Sequence, residues 1–406
     1  MALNDKLVLK KLNGLLRKFC RQDERYKTFS LPLKSMKDIQ YIPVSHRDDL
    51  AAFAGRHSLK GAFNVTATSG SSASRLLIAH SRKSHAVHVR RLVAVYKSIG
   101  IMSKDLCLNL CSYSLNSGGR LMEASFKSLG VGVIPLGELR GAEKVAEAVA
   151  ITRQLHPTVI NSYTNQLFPL FSALGKDHQV RVCIVNGEPL YPSFKAQIEA
   201  MAGVRIYNHY GAMEFSGFAI ARKPDDEYMR VFDDGLYLEV RDDDGRVRET
   251  GRGALLVTDL DNDVMPFIRY ELGDRVELVR RKDGLYLKVL GRLTDSILLN
   301  GEVYSCQDVV GLFQAALGHP DFFLLVEKDA VTYQDKMVLN VLSQDAGAWQ
   351  KVQMFLKNQS ALEGLTRLAV YRGEMPKTST GKFRHLVDAR AKMMGDNAAR
   401  PDLPRG

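Results

Sequence analysis

The stretch Thr66–Arg75, TATSGSSASR, gathers hydroxyls around one glycine and contains no lysine. A turn of this composition can wrap phosphate oxygens with backbone N–H groups and hydroxyls. A strand-like run, FNVTAT, leads into it and LLIAHS leads out, so the turn connects two strands rather than opening a helix. That argues against the nucleotide loop that sets Gly-Lys-Ser/Thr at a helix start, and it leaves the source of positive charge open. On its own the turn reads as a serine-rich surface loop.

Other chemistry-bearing groups are scattered along the chain. Cys107 and Cys111 fall on one face of the alternating run DLCLNLCSYS. With no further ligand cluster nearby they read as small buried side chains, not a metal pair. His85 and His88, three apart in HSRKSHAVHVRR, read as surface histidines on a solvated helix face. The 5 cysteines are odd in number and dispersed, which points to a reducing compartment, the cytoplasm, without a disulfide framework.

The elements that must hold these groups alternate. From about residue 60 to 290, short β-rich runs alternate with helical stretches, as in layered α/β domains. GVGVIPLG and VRVCIVNGEPL read as buried strands running into glycine turns, and GAEKVAEAVAITRQLHPTVI as a helix then a strand. PSFKAQIEAMAG reads as a helix ended by glycine, and VRIYNHYGAMEF as a strand delivering a loop. From Tyr228 to Leu290 Asp-Gly turns between alternating residues predict hairpins. Beyond GRLTD come a strand, SILLNGEVY, a helix, CQDVVGLFQAAL, and a small α+β unit. The expected fold class is α/β, with a large multi-sheet domain over 1–293, a small mobile α+β domain over 294–395 and a frayed tail over 396–406. MALNDKLVLKKLNGLLRKFC reads as an amphipathic helix packed on the body, and neither a spanning segment nor a signal peptide is expected. The formal charge of +11 favours anionic partners such as nucleotides, coenzyme A or acidic carrier proteins. No zinc-finger spacing, basic zipper or RNA-binding signature accompanies it, so neither nucleic acid nor a membrane is expected as partner.

Read with the turn, the runs VNGEPL, YNHYGAMEF, VMPFIRYELGDRVEL, GRLTDSILLNG and MPKTSTGKFRH stand in one order. Together they resemble the adenylate-forming superfamily of acyl- and aryl-CoA synthetases, adenylation domains and luciferases. Within it the phenylacetate-CoA ligase branch is most similar, through SYSLNSGGRLMEASFKSLGVGVIP, and the likeness runs from about Lys37 to Asp388. The resemblance implies an ATP- and Mg²⁺-dependent ligase that joins a carboxylic acid to AMP, releases pyrophosphate, and passes the acyl group to coenzyme A or a carrier-protein phosphopantetheine. Amide formation with an amine, and a nucleotide-binding partner protein without turnover, are the alternatives. A monomer or homodimer is expected.

By the same resemblance Thr68, Ser69, Gly70, Ser71 and Ser72 hold the β- and γ-phosphates, and Gly187, Glu188 and Pro189 lie beside adenine. Tyr210 stacks on the base, with Asn208 and Gly211 beside it; Glu214 holds Mg²⁺; Asp274 grips the ribose hydroxyls; Arg292 lies near ribose and phosphate. Lys382 bridges the substrate carboxylate and the α-phosphate, which is where the missing cation comes from. Tyr113, Asn116, Tyr163, Asn208 and Phe215 are candidate walls of an aryl or arylacetic acid pocket. The chain departs from the pattern at Ala73, Ser74 and Arg75, at Met213 in place of a threonine, and at Thr294 in place of an acidic hinge residue. Lys382→Ala is expected to abolish adenylate formation while leaving the far-ultraviolet circular dichroism spectrum and melting temperature unchanged; near-normal adenylation would remove Lys382 from this role.

Overall fold

The computed structural model describes residues 5–27, 31–57, 59–68, 76–115, 118–187, 190, 192–223, 226–292, 296–299, 302–318, 321–328, 335–341, 348–356, 366–370, 375–376 and 385–389. The chain divides into two compact units, Met1–Glu188 with Met201–Leu293, and Pro189–Ala200 with Thr294–Gly406. No helix among the described residues is long and apolar enough to cross a membrane.

Helix α1 (Asp5–Phe19) buries Val8, Leu12, Leu15, Leu16 and Phe19, one face at helical spacing. Helix α2 (Arg47–Arg56) starts where the Asp49 carboxylate accepts the His46 backbone N–H. Strands β1 (Ala62–Ala67) and β2 (Leu77–Ser81) pair antiparallel, so the serine-rich segment does join two strands.

Helix and strand then alternate through α3 (Arg82–Ser98), β3 (Leu106–Asn109), α4 (Gly119–Ser128), β4 (Gly132–Ile134) and α5 (Gly141–Leu155). The run continues with β5 (Val159–Tyr163), α6 (Thr164–Leu174), β6 (Val182–Asn186), α7 (Pro192–Ala202) and β7 (Arg205–Ala212). Strands β4, β3, β5, β6 and β7 lie side by side, all parallel. Parallel strands carry crossover helices on their faces and so read as continuous apolar runs; β6 is buried throughout. Against expectation β4 is part-exposed, because it is an edge strand with a neighbour on one side only.

The same sheet then turns antiparallel through β8 (Ser216–Ile220), β9 (Met229–Val231), β10 (Leu236–Arg241), β11 (Val247–Arg248), β12 (Gly251–Asp259), β13 (Tyr270–Arg281) and β14 (Gly284–Arg292). It reaches 12 strands in the order β11-β10-β12-β13-β14-β9-β8-β7-β6-β5-β3-β4. The predicted Asp-Gly turns, Asp244-Gly245 and Asp283-Gly284, close the β10–β11 and β13–β14 hairpins. Leu16, Phe19, Phe53, Phe218 and Leu287 belong to one apolar cluster, and Leu92, Tyr96, Phe126 and Ile184 to another.

In the second unit SILLNGEVY is a hairpin rather than a single strand, β15 (Ser296–Leu299) with β16 (Glu302–Ser305), an outcome its central Asn-Gly pair favours. The expected helix follows as α8 (Cys306–Leu317), then β17 (Phe322–Lys328), β18 (Asp335–Val341), α9 (Ala348–Leu356), β19 (Thr366–Val370) and β20 (Leu386–Asp388). Their four-stranded sheet runs β19-β18-β17-β20 over a core of Val309, Phe313, Leu324 and Leu339.

The HSRKSHAVHVRR stretch corrects the expectation of surface histidines. His85 is half-buried, and His88 and Arg91 turn fully inward from α3. Asp259 Oδ1 accepts the backbone N–H groups of Asp261 and Asn262 at 2.9 and 3.1 Å. Its Oδ2 accepts the Ser84 hydroxyl at 2.7 Å and lies 3.3 Å from His88 Nε2. The His80 ring sits edge-on to His88 with centroids 4.7 Å apart, completing a buried His-His-Asp group. Burial works against the Asp259 charge, but its hydrogen bonds from His88 and the Asp261 backbone hold the carboxyl well below the usual range. The other expected small side chains, Cys107 and Cys111, are buried.

Burial lowers the pKa of His80 to about 3 and, with the Arg91 charge, that of His209 to about 4. The unfolded chain takes up those protons near pH 6.5, so this stability is whole above pH 6.5 and is lost progressively on acidification. At pH 5 the loss is roughly 2 kcal/mol for each histidine. Thermal unfolding between pH 7.5 and 5 is expected to show a falling Tm, and a flat profile would contradict buried neutral imidazoles.

Candidate active site

Three elements of the first unit deliver the carried-over residues. The β7–β8 hairpin carries Asn208, Tyr210, Gly211, Glu214 and Phe215; β13 carries Asp274; β14 carries Arg292. Asp274 and Arg292 are cross-strand partners in register, and Gly273, at φ +86°, takes the left-handed turn just before Asp274. The Arg292 guanidinium donates to Asp274 Oδ1 at 3.2 Å, and the Tyr210 hydroxyl donates to Asp274 Oδ2 at 2.6 Å. Burial, and then the Asp274 charge, push the Tyr210 phenol well above its usual pKa, so it stays a donor.

Glu214 is buried, and Tyr270 donates its hydroxyl to Glu214 Oε1 at 3.3 Å. Burial raises the Glu214 pKa; hydrogen bonds from its own backbone and Tyr270, and the charges of Arg292 and Arg47, pull the other way. Sequence reasoning missed Arg47. From the first turn of α2 it donates to the Thr68 hydroxyl at 2.8 Å, and that hydroxyl also accepts the Leu76 backbone N–H at 3.1 Å. A cation thus stands where the serine-rich segment begins, although no lysine lies within it.

Arg91 is the second residue missed. Its buried guanidinium donates to the Phe215 carbonyl, to Ser216 Oγ at 3.3 Å and to the Asp234 carbonyl at 2.8 Å. This grip holds the turn after Glu214, where Ser216 sits at φ +59°. The signal available was an arginine at helical spacing from Val87 and Val95 on the buried side of α3.

Other placements follow. Gly187 follows β6 at φ +75°, beside the register pair Asn186–His209. Tyr113 accepts from Asn109 Nδ2 at 2.8 Å and Tyr163 accepts the Ser112 N–H at 3.4 Å, which brings the SYSLNSGG and NSYTNQ segments together. Asn208 is half-buried on β7. Phe215 sits inside the aromatic core, 5.4 Å from Phe267 and 6.1 Å from Tyr270 by ring centroids, and none of its surface faces solvent. Met213 packs on that core, and its backbone bonds His80. Ser69, Gly70, Ser71, Ser72, Ala73, Ser74, Arg75, Asn116, Glu188, Pro189, Thr294 and Lys382 lie outside the described residues.

No family profile matches the chain. It is 21% identical over 404 residues to a phenylacetate-coenzyme A ligase of Thermus thermophilus, covering 88% of both. It is 24% identical over 329 residues to a phenylacetate-coenzyme A ligase of Aromatoleum evansii, covering 76% of this chain and 73% of that one. The fold matches a crystal structure of 2-hydroxyisobutyryl-CoA ligase in the postadenylation state with R3-HIB-AMP, with TM-score 0.79, 19% identity, 96% of this chain and 90% of that chain. The chain is thus similar in sequence to phenylacetate-coenzyme A ligases and shares its fold with an acyl-CoA ligase. Its mixed α/β architecture is the one that ligase structure has.

A bulged hairpin constrains its glycine. Pairing slips between Tyr210 and Gly211. A Cβ on Gly211 would lie 2.3 Å from the Ser216 carbonyl oxygen and 2.5 Å from Gly217 Cα, backbone atoms that cannot rotate away. Gly211→Ala is expected to destabilise the protein by about 2 kcal/mol and to weaken AMP binding through displacement of Tyr210. Calorimetric melting and titration with AMP check this; unchanged values in both would contradict it.

Proposed function

We propose that the protein activates a carboxylic acid with ATP and transfers the acyl group to coenzyme A. A carboxylate oxygen attacks the α-phosphorus, pyrophosphate leaves, and an acyl-adenylate forms. The coenzyme A thiolate then attacks the acyl carbonyl carbon, forming the thioester and expelling AMP. Two anions must approach each other in the first step, and negative charge grows on the phosphoryl oxygens, so fixed cations near them lower the barrier.

The observation that carries this reading is the Tyr210–Asp274–Arg292 constellation, bonded at 2.6 and 3.2 Å, with Glu214 on the same hairpin as Tyr210. Asp274 is a two-oxygen acceptor already oriented by two donors, suited to the paired hydroxyls of a ribose. Tyr210 is assigned to the adenine face, with Asn208, Gly211 and Gly187 beside the base. Arg292 and Arg47 are assigned to the phosphates, and Thr68 to the start of the phosphate turn. Lys382 is assigned to the carboxylate and α-phosphate. Tyr113 and Tyr163 are assigned to the acid pocket, which suits an aryl or arylacetic acid.

Glu214 fits a Mg²⁺ ligand: it is a buried carboxylate whose charge burial disfavours, so a nearby cation stabilises it. Bound there, Mg²⁺ would supply electrophilic charge to the triphosphate. The free cysteines Cys20, Cys107, Cys111, Cys183 and Cys306 support a cytoplasmic setting.

Acid-dependent ATP–pyrophosphate exchange over a broad carboxylate panel tests the first half-reaction, and mass spectrometry of products with coenzyme A, carrier protein or amines tests the second. No exchange with any acid would overturn the proposal in favour of a nucleotide-binding partner protein. Because burial raises the Glu214 pKa, protons compete with Mg²⁺ there; the Mg²⁺ concentration for half-maximal exchange is expected to rise as pH falls, and an unchanged Mg²⁺ requirement in Glu214→Gln would remove Glu214 from this role.

A further inference from the structure

A line of buried amides crosses the parallel half of the large sheet. Asn109 and Asn186, which end β3 and β6, and Asn161 and His209, within β5 and β7, are all buried. Asn109 pairs with Asn161 in register, and Asn186 pairs with His209. Their side chains bond in sequence. Asn186 Nδ2 donates to Asn161 Oδ1 at 2.9 Å, Asn161 Nδ2 to Asn109 Oδ1 at 2.9 Å, and Asn109 Nδ2 to the Tyr113 hydroxyl oxygen at 2.8 Å. Tyr113 in turn hydrogen-bonds Glu123.

Backbone contacts set the direction of this line. Asn109 Nδ2 also donates to the Gly119 carbonyl at 3.1 Å, while its Oδ1 accepts the Cys111 N–H at 3.3 Å, so its amide stands one way round. Asn186 Nδ2 also donates to the Ser162 carbonyl at 3.3 Å, which leaves Asn186 Oδ1 facing His209 Nδ1 at 2.5 Å. An amide oxygen only accepts, so His209 Nδ1 carries the hydrogen. His209 Nε2, buried and without a hydrogen-bond partner among the described residues, is the bare nitrogen of that tautomer. Every donor therefore points from His209 towards Tyr113, an arrangement in which successive bonds polarise one another.

We propose that this amide line is a positioning device that sets the acid-binding and adenine-binding ends of the site relative to each other. The proposal rests on the reading above, in which Tyr113 faces the acid while Gly187 and Tyr210, next in the chain to Asn186 and His209, flank the base. An apolar core would fill the same space equally well; the bonded amides add a fixed direction and a fixed spacing across four strands. Adenylation demands that spacing, because the attacking carboxylate and the α-phosphate are held by different strand ends.

Nitrogen-15 NMR of the full chain labelled at histidine, with the His209 signal assigned from a His209→Asn variant, tests the chemistry without turnover. The expected neutral form is Nδ1–H, the minor tautomer of free histidine, and an Nε2–H signal would overturn the proposal. The kinetic arm uses Asn161→Leu and Asn161→Asp, which puts a carboxyl oxygen in place of the Nδ2 that donates to Asn109, Cys111 and Met122. In folded protein either change is expected to lower kcat for pyrophosphate exchange about tenfold to a hundredfold with KM for ATP and acid near wild type. His209→Asn, whose amide N–H replaces Nδ1–H, is expected to keep most of kcat where His209→Leu does not. Unchanged kcat in folded Asn161 variants would overturn the positioning role. If the wild type itself shows no exchange, the proposed function fails and the line is judged on AMP affinity. A loss of about fivefold in Asn161→Leu supports it, and no loss overturns it.

Discussion

The guanidinium of Arg91 is the interaction on which the site is built. It is fully buried, donates to the Phe215 and Asp234 carbonyls, and so joins α3 to the β7–β8 turn and to the approach to β10. Burial lowers its pKa to about 10, and the charges of Asp259, Asp234, Asp261 and Asp233 offset part of that, so it remains a cation at neutral pH. A buried charge left unpaired costs several kcal/mol, so those carbonyls and carboxylates are held as firmly as the arginine. The turn presenting Glu214 inherits that rigidity.

Charge balance around this cation also sets the protonation of its surroundings. Asp259 stays ionised, whereas His80, His88 and His209 stay neutral, each first through burial. The neutral imidazoles serve as directional hydrogen-bond groups: His80 engages the Met213 backbone and His209 donates to Asn186. Positive charge is concentrated elsewhere, on Arg47 and Arg292, which both act on Glu214.

Much of this was legible in the chain. The two-strand context of the serine-rich turn, the parallel run, the Asp-Gly hairpins and the apolar face of α1 follow from local periodicity and turn chemistry, which depend on neighbours in sequence. The pairing of Tyr210, Asp274 and Arg292 could be expected only through the likeness to a family, since the first two are joined across 64 positions. The inward turn of His88 and Arg91 was not legible. A basic helix looks solvated until the acids and carbonyls that compensate it arrive from remote segments.

By itself the sequence determined which segments become strands and helices, where they reverse, and which residue types are available for nucleotide chemistry. Only the tertiary structure decided that Arg47 stands at Thr68, that Phe215 is core, and that amides from three strands and an imidazole from a fourth form one directed line. The reason is physical. Secondary structure answers to interactions over a few residues, whereas the pairing of buried polar groups is set by which strand ends the sheet order makes neighbours.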